Sequence, residues 1–210
     1  MKSYRAAVLS AALGVVSTAY GADVSTGVMT DAQKANLQKT IATCGTCHGV
    51  HGLSISPTFP DLAAQKAPYI ERQLKAFKDH SRADPDAQAY MWGMASQLSD
   101  AEISSVAAYF AAQAGPSGTP GDPKLLAEGK HLFELGDTSH GIPPCASCHG
   151  PKAEGMEMDG PRLAGQHTAY LYKQLIVIQS ALRTAPVMHG VVKDMTEDQM
   201  KAVIAYIGSI

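Results

Sequence analysis

All four cysteines of this 210-residue chain fall in two copies of one five-residue pattern, Cys44-Gly45-Thr46-Cys47-His48 and Cys145-Ala146-Ser147-Cys148-His149. C-x-x-C-H is the attachment signature of c-type haem. The spacing has a chemical reason: two thiols three positions apart at a helix start can each add to one haem vinyl group, while the next residue's imidazole reaches the iron. A thioredoxin-like redox pair or half of a zinc site has similar spacing, but these require a βαβ pattern or a second ligand pair nearby, and neither is visible. The sequence therefore predicts two haem c groups, with Cys44, Cys47, Cys145 and Cys148 as the thioether residues and His48 and His149 as proximal iron ligands.

The N-terminus gives the compartment. Lys2 and Arg5 precede an apolar run from Ala6 to Val16, followed by small residues up to Gly21, the pattern of a secretory signal peptide cut after Gly21. The run is shorter than the roughly 20 residues needed to span a bilayer. Removing Lys2 and Arg5 takes the formal charge from -2 to -4, and the remaining charges are evenly mixed: nine acids and seven bases over 22–114, ten and eight over 115–210. That excludes a basic face for nucleic acid.

The chain is a duplication. Aligning the motifs at an offset of 101 also pairs Pro60 with Pro161, Leu62 with Leu163, Gln65 with Gln166, Tyr69 with Tyr170 and Gln73-Leu74 with Gln174-Leu175. Near the end of each half the offset falls to 97, so the first half holds about four extra residues between Leu74 and Met91, placed in the polar stretch Lys78 to Gln88. A repeat of this length means two homologous domains. The Gly- and Pro-rich stretch from Gly115 to Pro123 cannot continue a helix, giving domains at 22–114 and 124–210 joined by a linker at 115–123. Helices are predicted at 31–42 and 123–135, 68–78 and 169–181, and 100–113 and 197–207. The last pair open on capping boxes, Ser99 to Glu102 and Thr196 to Gln199. No alternating strand pattern appears, so the expected fold is all-α, two tandem domains each wrapped around one haem.

Whether each iron is closed by a second side chain decides between a carrier and small-molecule chemistry. Most of the eight methionines after Gly21 are core filler by default, but the repeat selects two. Met91-Trp92-Gly93 aligns with Met188-His189-Gly190, and each methionine lies seven residues before the apolar position that precedes the capping box. Met91 and Met188 are the predicted distal ligands, with His189 as the competitor in the second half. Met94, Met156 and Met158 have no counterparts, and Met29, Met195 and Met200 sit elsewhere. His51, His80, His131, His140 and His167 lack matching positions and read as surface or structural residues.

A ligating imidazole usually gives its other N–H to a backbone carbonyl. Pro60 and Pro161 each follow their histidine by twelve residues and are candidates to supply it, the alternative being plain turn prolines. Gln65, Gln166, Tyr69 and Tyr170 recur as well, consistent either with bonds to haem propionates or with capping and packing of their helices.

With these pieces in place the chain resembles the dihaem cytochrome c4 family, two class I cytochrome c domains joined by a short linker. The resemblance covers the sequence beyond the signal peptide: both C-x-x-C-H motifs, Phe59-Pro60-Asp61-Leu62-Ala63, the run from Pro161 to His167, the M-x-G segments at Met91 and Met188, and Leu98-Ser99-Asp100. One departure is Met195-Thr196-Glu197 in place of the Leu-Ser-Asp type of segment. The resemblance implies His48/Met91 and His149/Met188 ligation, with the Pro60 and Pro161 carbonyls holding the histidines, and haems facing one another through propionate contacts. It further implies a periplasmic, sometimes loosely membrane-associated carrier in a respiratory chain. Its partners would be a membrane cytochrome complex, a terminal oxidase, a small copper protein or another cytochrome.

The rival readings are enzymatic or sensory. A dihaem peroxidase requires an iron that can open and nearby acid–base groups, whereas both halves offer a methionine at the same place. A cysteine-ligated thiosulfate-oxidising site would require a fifth cysteine, and a haem-based gas sensor an open iron and usually an output module. The sequence favours an electron-transfer protein that is not an enzyme.

Overall fold

The computed structural model describes residues 29–156 and 160–210; the expected signal peptide at 1–21, and Met158, lie outside the described residues. Helix α1 spans Asp31–His48. Thr30 opens it with a reciprocal cap: its hydroxyl accepts from the Gln33 N–H at 3.2 Å, and Gln33 Oε1 accepts from the Thr30 N–H at 2.7 Å. The helix runs six residues past the predicted end at Ala42 and carries the whole first attachment motif, because no proline interrupts 31–48. It stops at Gly49, whose φ of 75° suits glycine and where a Cβ would sit 2.1 Å from the Leu53 carbonyl oxygen.

Helix α2, Ala67–Lys78, buries Ile70, Leu74 and Phe77 on one face. A single π turn, Ala87–Met91, leads directly into α3, Trp92–Ser96. Helix α4, Asp100–Ala111, opens on the predicted Ser99/Glu102 box. In the second half α5, Pro123–Leu135, is capped by the Asp122 carboxylate and ends at Gly136 with φ 72°. Pro143 and Pro144 lack the N–H a helix needs, so the second attachment motif rides on the one-turn α6, Ala146–His149, closed by Gly150 at φ 82°. Helices α7, Thr168–Gln179, α8, Pro186–Val192, and α9, Glu197–Ser209, complete this half. Among the described residues there is no strand, only an isolated bridge between Asp137 and Ile142.

The apolar residues bury themselves in two separate clusters. One draws on Ile70, Leu74, Phe77, Ile103, Val106 and Phe110, the other on Phe133, Leu171, Ile178, Met200, Val203 and Ile207. Each half is thus a small helical body with its own core. In the second, α5 crosses α9 so closely that a Cβ on Gly129 would lie 1.9 Å from the Ala202 carbonyl oxygen. The Gly115–Pro123 stretch packs on the second body, with the Thr119 N–H bonded to the Gly208 carbonyl at 2.8 Å.

The backbone repeats like the sequence. Four pairs of positive φ values recur at an offset of 101: Gly49 and Gly150, Gly52 and Ala153, Ala64 and Gly165, His80 and Ala181. Matching bonds from the Arg82 N–H to the Ala76 carbonyl at 3.0 Å and from the Arg183 N–H to the Val177 carbonyl at 2.9 Å carry the offset through Arg82 and Arg183. The four extra residues of the first half fall between Arg82 and Met91, where the π turn absorbs added chain length.

Candidate haem centres

Each attachment motif places its histidine at the C-terminus of a helix and turns the ring inward. His48 and His149 are both buried, and each donates its Nδ1–H to a proline carbonyl: His48 to Pro60 at 2.9 Å, His149 to Pro161 at 3.0 Å. A carbonyl only accepts, so the proton sits on Nδ1 and the Nε2 lone pair is left available. Burial holds both imidazoles below their ordinary range, against the opposing pull of the proline carbonyls. Neutral imidazole with a free Nε2 is the form that binds a metal.

The four thiols are free. The first of each pair, Cys44 and Cys145, is half-buried, and burial raises both, Cys145 to about 11. A thiolate there would be poorly solvated, whereas a thioether carries no charge to solvate. Cys47 and Cys148 are exposed. Paired thiols without a disulfide, each pair followed by a neutral inward-facing imidazole, fit a covalently attached haem.

Met91 and Met188 occupy equivalent places. Each is half-buried against its own core cluster, Met91 at the end of the π turn and Met188 on α8. The residue after each methionine anchors that segment by a ring N–H to a backbone carbonyl: Trp92 Nε1 to Arg82 at 2.9 Å and His189 Nδ1 to Ile178 at 2.9 Å. His189 thus does in the second half what Trp92 does in the first. Met94 and Met156 are exposed, while Met195 and Met200 are buried in the second core. Of the other histidines, His51, His131 and His140 are exposed, and His80 stacks on Trp92 at 3.9 Å. His167 reaches across to the first half, Nε2 to the Ser54 carbonyl at 3.0 Å, close to the Asp61 carboxylate.

The two halves meet in a pseudo-twofold set of polar contacts. Gln65 accepts the Arg162 N–H at 2.8 Å and donates to the Arg162 carbonyl at 2.9 Å. Gln166 does the same to Asp61, at 2.9 Å for both bonds. These glutamines bond to the opposite half's backbone, which the sequence alone left undecided. A second cluster joins Arg82 and Arg183, both buried. Arg82 donates to Gln73 at 2.6 Å, Gln174 at 3.0 Å and Asp84 at 2.9 Å; Arg183 donates to Gln174 at 2.5 Å, Tyr69 at 2.9 Å and Gln73 at 3.1 Å. Burial pushes the Tyr69 phenol up, but the guanidiniums of Arg183 and Arg82 outweigh it and hold it below its usual range. Two guanidiniums here face one carboxylate, Asp84, leaving buried positive charge in excess. Neither arginine was singled out in the sequence, although the offset of 101 pairs them.

A family model described as cytochrome c matches residues 34–113 and again 126–210. Cytochrome c4 of Stutzerimonas stutzeri is 38% identical over 180 residues, covering 81% of this chain and 85% of that protein. A solved structure of Acidithiobacillus ferrooxidans cytochrome c4 is 41% identical with a TM-score of 0.75, covering 80% of this chain and 99% of that one. The thiosulfate dehydrogenase electron acceptor of Thiomonas intermedia strain K12 is 35% identical over 175 residues, covering 80% of this chain and 78% of that protein.

Two helical bodies with repeated attachment motifs and repeated inward histidines define a dihaem c-type cytochrome, an electron-transfer protein with two covalently bound haem c groups. Within that class, the chain belongs to the cytochrome c4 family.

Proposed function

We propose that this protein is a periplasmic one-electron carrier in which both irons are closed by protein ligands. Cys44 and Cys47 hold one haem and Cys145 and Cys148 the other. His48 and Met91 bind the first iron, His149 and Met188 the second, across domains at 22–114 and 124–210 joined by residues 115–123. The observation that carries this reading is the equivalence of the two halves: each pairs a neutral histidine, oriented by a proline carbonyl, with a methionine on an anchored segment packed against the core. An enzyme would require one centre to differ by an open iron flanked by acid–base groups.

The haems supply reversible one-electron exchange at iron. The chain's residues set the conditions for it. Pro60 and Pro161 fix the histidine rings and their basicity, and the thioethers of Met91 and Met188 favour the ferrous state and raise the potential. Trp92 and His189 hold the methionine segments in place, so little rearranges when an electron arrives. The excess positive charge at Arg82 and Arg183 matches the carboxylates that a haem carries. No helix among the described residues is long and apolar enough to cross a membrane. Donors and acceptors are other redox proteins: a membrane cytochrome complex, a terminal oxidase, a small copper protein or another cytochrome. The relative that bears the name thiosulfate dehydrogenase electron acceptor adds a dehydrogenase as a donor of the same kind.

The ligand assignment is tested by Met91→His and Met188→His in the holoprotein. Each substitution lowers the reduction potential of its own haem and leaves the other where it was. A fall in both, or in neither, contradicts the assignment.

A further inference from the structure

The hydrogen bond that orients each proximal histidine does not end at the proline. The Pro60 carbonyl and the Asp61 N–H are the two ends of one peptide unit. His48 donates to its oxygen at 2.9 Å, and its N–H donates to Gln166 Oε1 of the other domain at 2.9 Å. In the second half, His149 donates to the Pro161 oxygen at 3.0 Å, and the N–H of that peptide, on Arg162, donates to Gln65 Oε1 of the first domain at 2.8 Å.

Both glutamines are buried and fully engaged. Each amide group returns a bond to the carbonyl of the residue it clamps. Each Oε1 also takes the N–H of the following residue, Lys66 or His167, at 3.0 Å. Their orientation is fixed from several sides, so the acceptor oxygen is held on the opposite peptide.

A peptide whose N–H is hydrogen-bonded presents a more strongly polarised carbonyl, a cooperative gain on the order of 10–30% per bond. A stronger acceptor at Nδ1–H makes the imidazole a better electron donor at Nε2. More donation favours the ferric iron and lowers the potential. From this continuous chain we infer that Gln65 and Gln166 are positioning residues that hold down the potential of the haem in the opposite domain. Each domain completes the proximal hydrogen-bond chain of the other, and docking is thereby part of how both potentials are set. The inference rests on His48 and His149 being iron ligands.

The test is an NMR-followed redox titration of the holoprotein, which reads each haem's signals separately. Gln166→Met keeps the size of the side chain and removes the acceptor. The potential of the haem bound by His48 shifts upward while that of the haem bound by His149 stays, although the substitution lies in the second domain. Gln65→Met gives the mirror result. No shift, or a shift confined to the haem of the substituted domain, overturns the inference. If a substitution separates the domains, both links break and both potentials rise. Simple exposure of haem to water favours the more highly charged ferric form and moves potentials the opposite way, so a rise on separation is carried by the broken links and not by exposure. The same spectra test the underlying ligand reading: oxidised-state signals of the His48 and His149 rings lacking paramagnetic shifts would refute ligation itself, whereas shifted rings with unmoved potentials would refute only the role of the glutamines.

Discussion

At the scale of single residues, Asp84 is the most deeply buried charged side chain among the described residues. It is 1% accessible and, among the described residues, the one carboxylate bonded to this arginine pair, with one oxygen on Arg82 Nε at 2.9 Å and the other without a partner there. Removing one member of a buried charge cluster strands the rest, at a cost of about 3–5 kcal/mol. Asp84→Asn keeps the shape and removes the charge, so it should lower the unfolding free energy of the holoprotein by an amount in that range, read as a fall in its denaturant midpoint; an unchanged midpoint would mean that the guanidiniums are neutralised elsewhere. Residue chemistry was unevenly legible. The cysteines, histidines and prolines announce themselves by spacing, and Met91 and Met188 by recurrence. Gln65 and Gln166 recur too, but their partners belong to the other half, and a sequence does not say how two domains dock. Arg82 and Arg183 stayed hidden because Arg82 lies within the stretch Lys78 to Gln88, where the sequence does not say at which residue the offset changes from 101 to 97.

At the scale of elements, caps and breakers decide the boundaries. The boxes at Ser99 and Thr196 open α4 and α9 where the sequence places them. Local hydrogen-bonding groups define such signals, so no tertiary information is needed to read them. The methionine-bearing segments were not predicted as helices. Met91-Trp92-Gly93-Met94 is short and interrupted by glycine, and its π turn accommodates inserted residues rather than following a periodicity. The first attachment motif sits on a long helix and the second on a single turn, a difference written in Pro143 and Pro144. Helix α7 was predicted to reach Ala181 but ends at Gln179, since Ala181 adopts φ 56°. The cap of α4 makes a pH prediction. The Ser99 hydroxyl, then the Ser99 N–H and the Asn36 amide, hold the Glu102 carboxyl down to about 2 from 4.5. A depressed carboxyl stabilises the fold above its ordinary value, and that stabilisation is lost as pH falls through the lower one. Glu102→Gln keeps a capping oxygen without the titration. Thermal unfolding of the two holoproteins should therefore show wild type losing its advantage between about pH 4.5 and 2, and parallel curves across that window would refute the cap's contribution.

At the scale of the whole molecule, two copies of one domain dock so that equivalent residues meet: Gln65 and Gln166 across one set of contacts, Arg82 and Arg183 across another. The duplication, the two cofactors and the helical class were legible because they depend on composition and on repeats. The docking was not, because it depends on buried polar pairs whose members lie about a hundred residues apart. We propose that a carrier built this way has two equivalent closed centres, and the most direct measurement of that claim is the absorbance spectrum of the purified, reduced protein before and after carbon monoxide is added, with haem counted per chain. Two haems and an unchanged spectrum are the result expected if Met91 and Met188 close both irons. A carbon monoxide shift at either haem would reveal an open iron, contradict the carrier assignment, and make that centre a place where small molecules react.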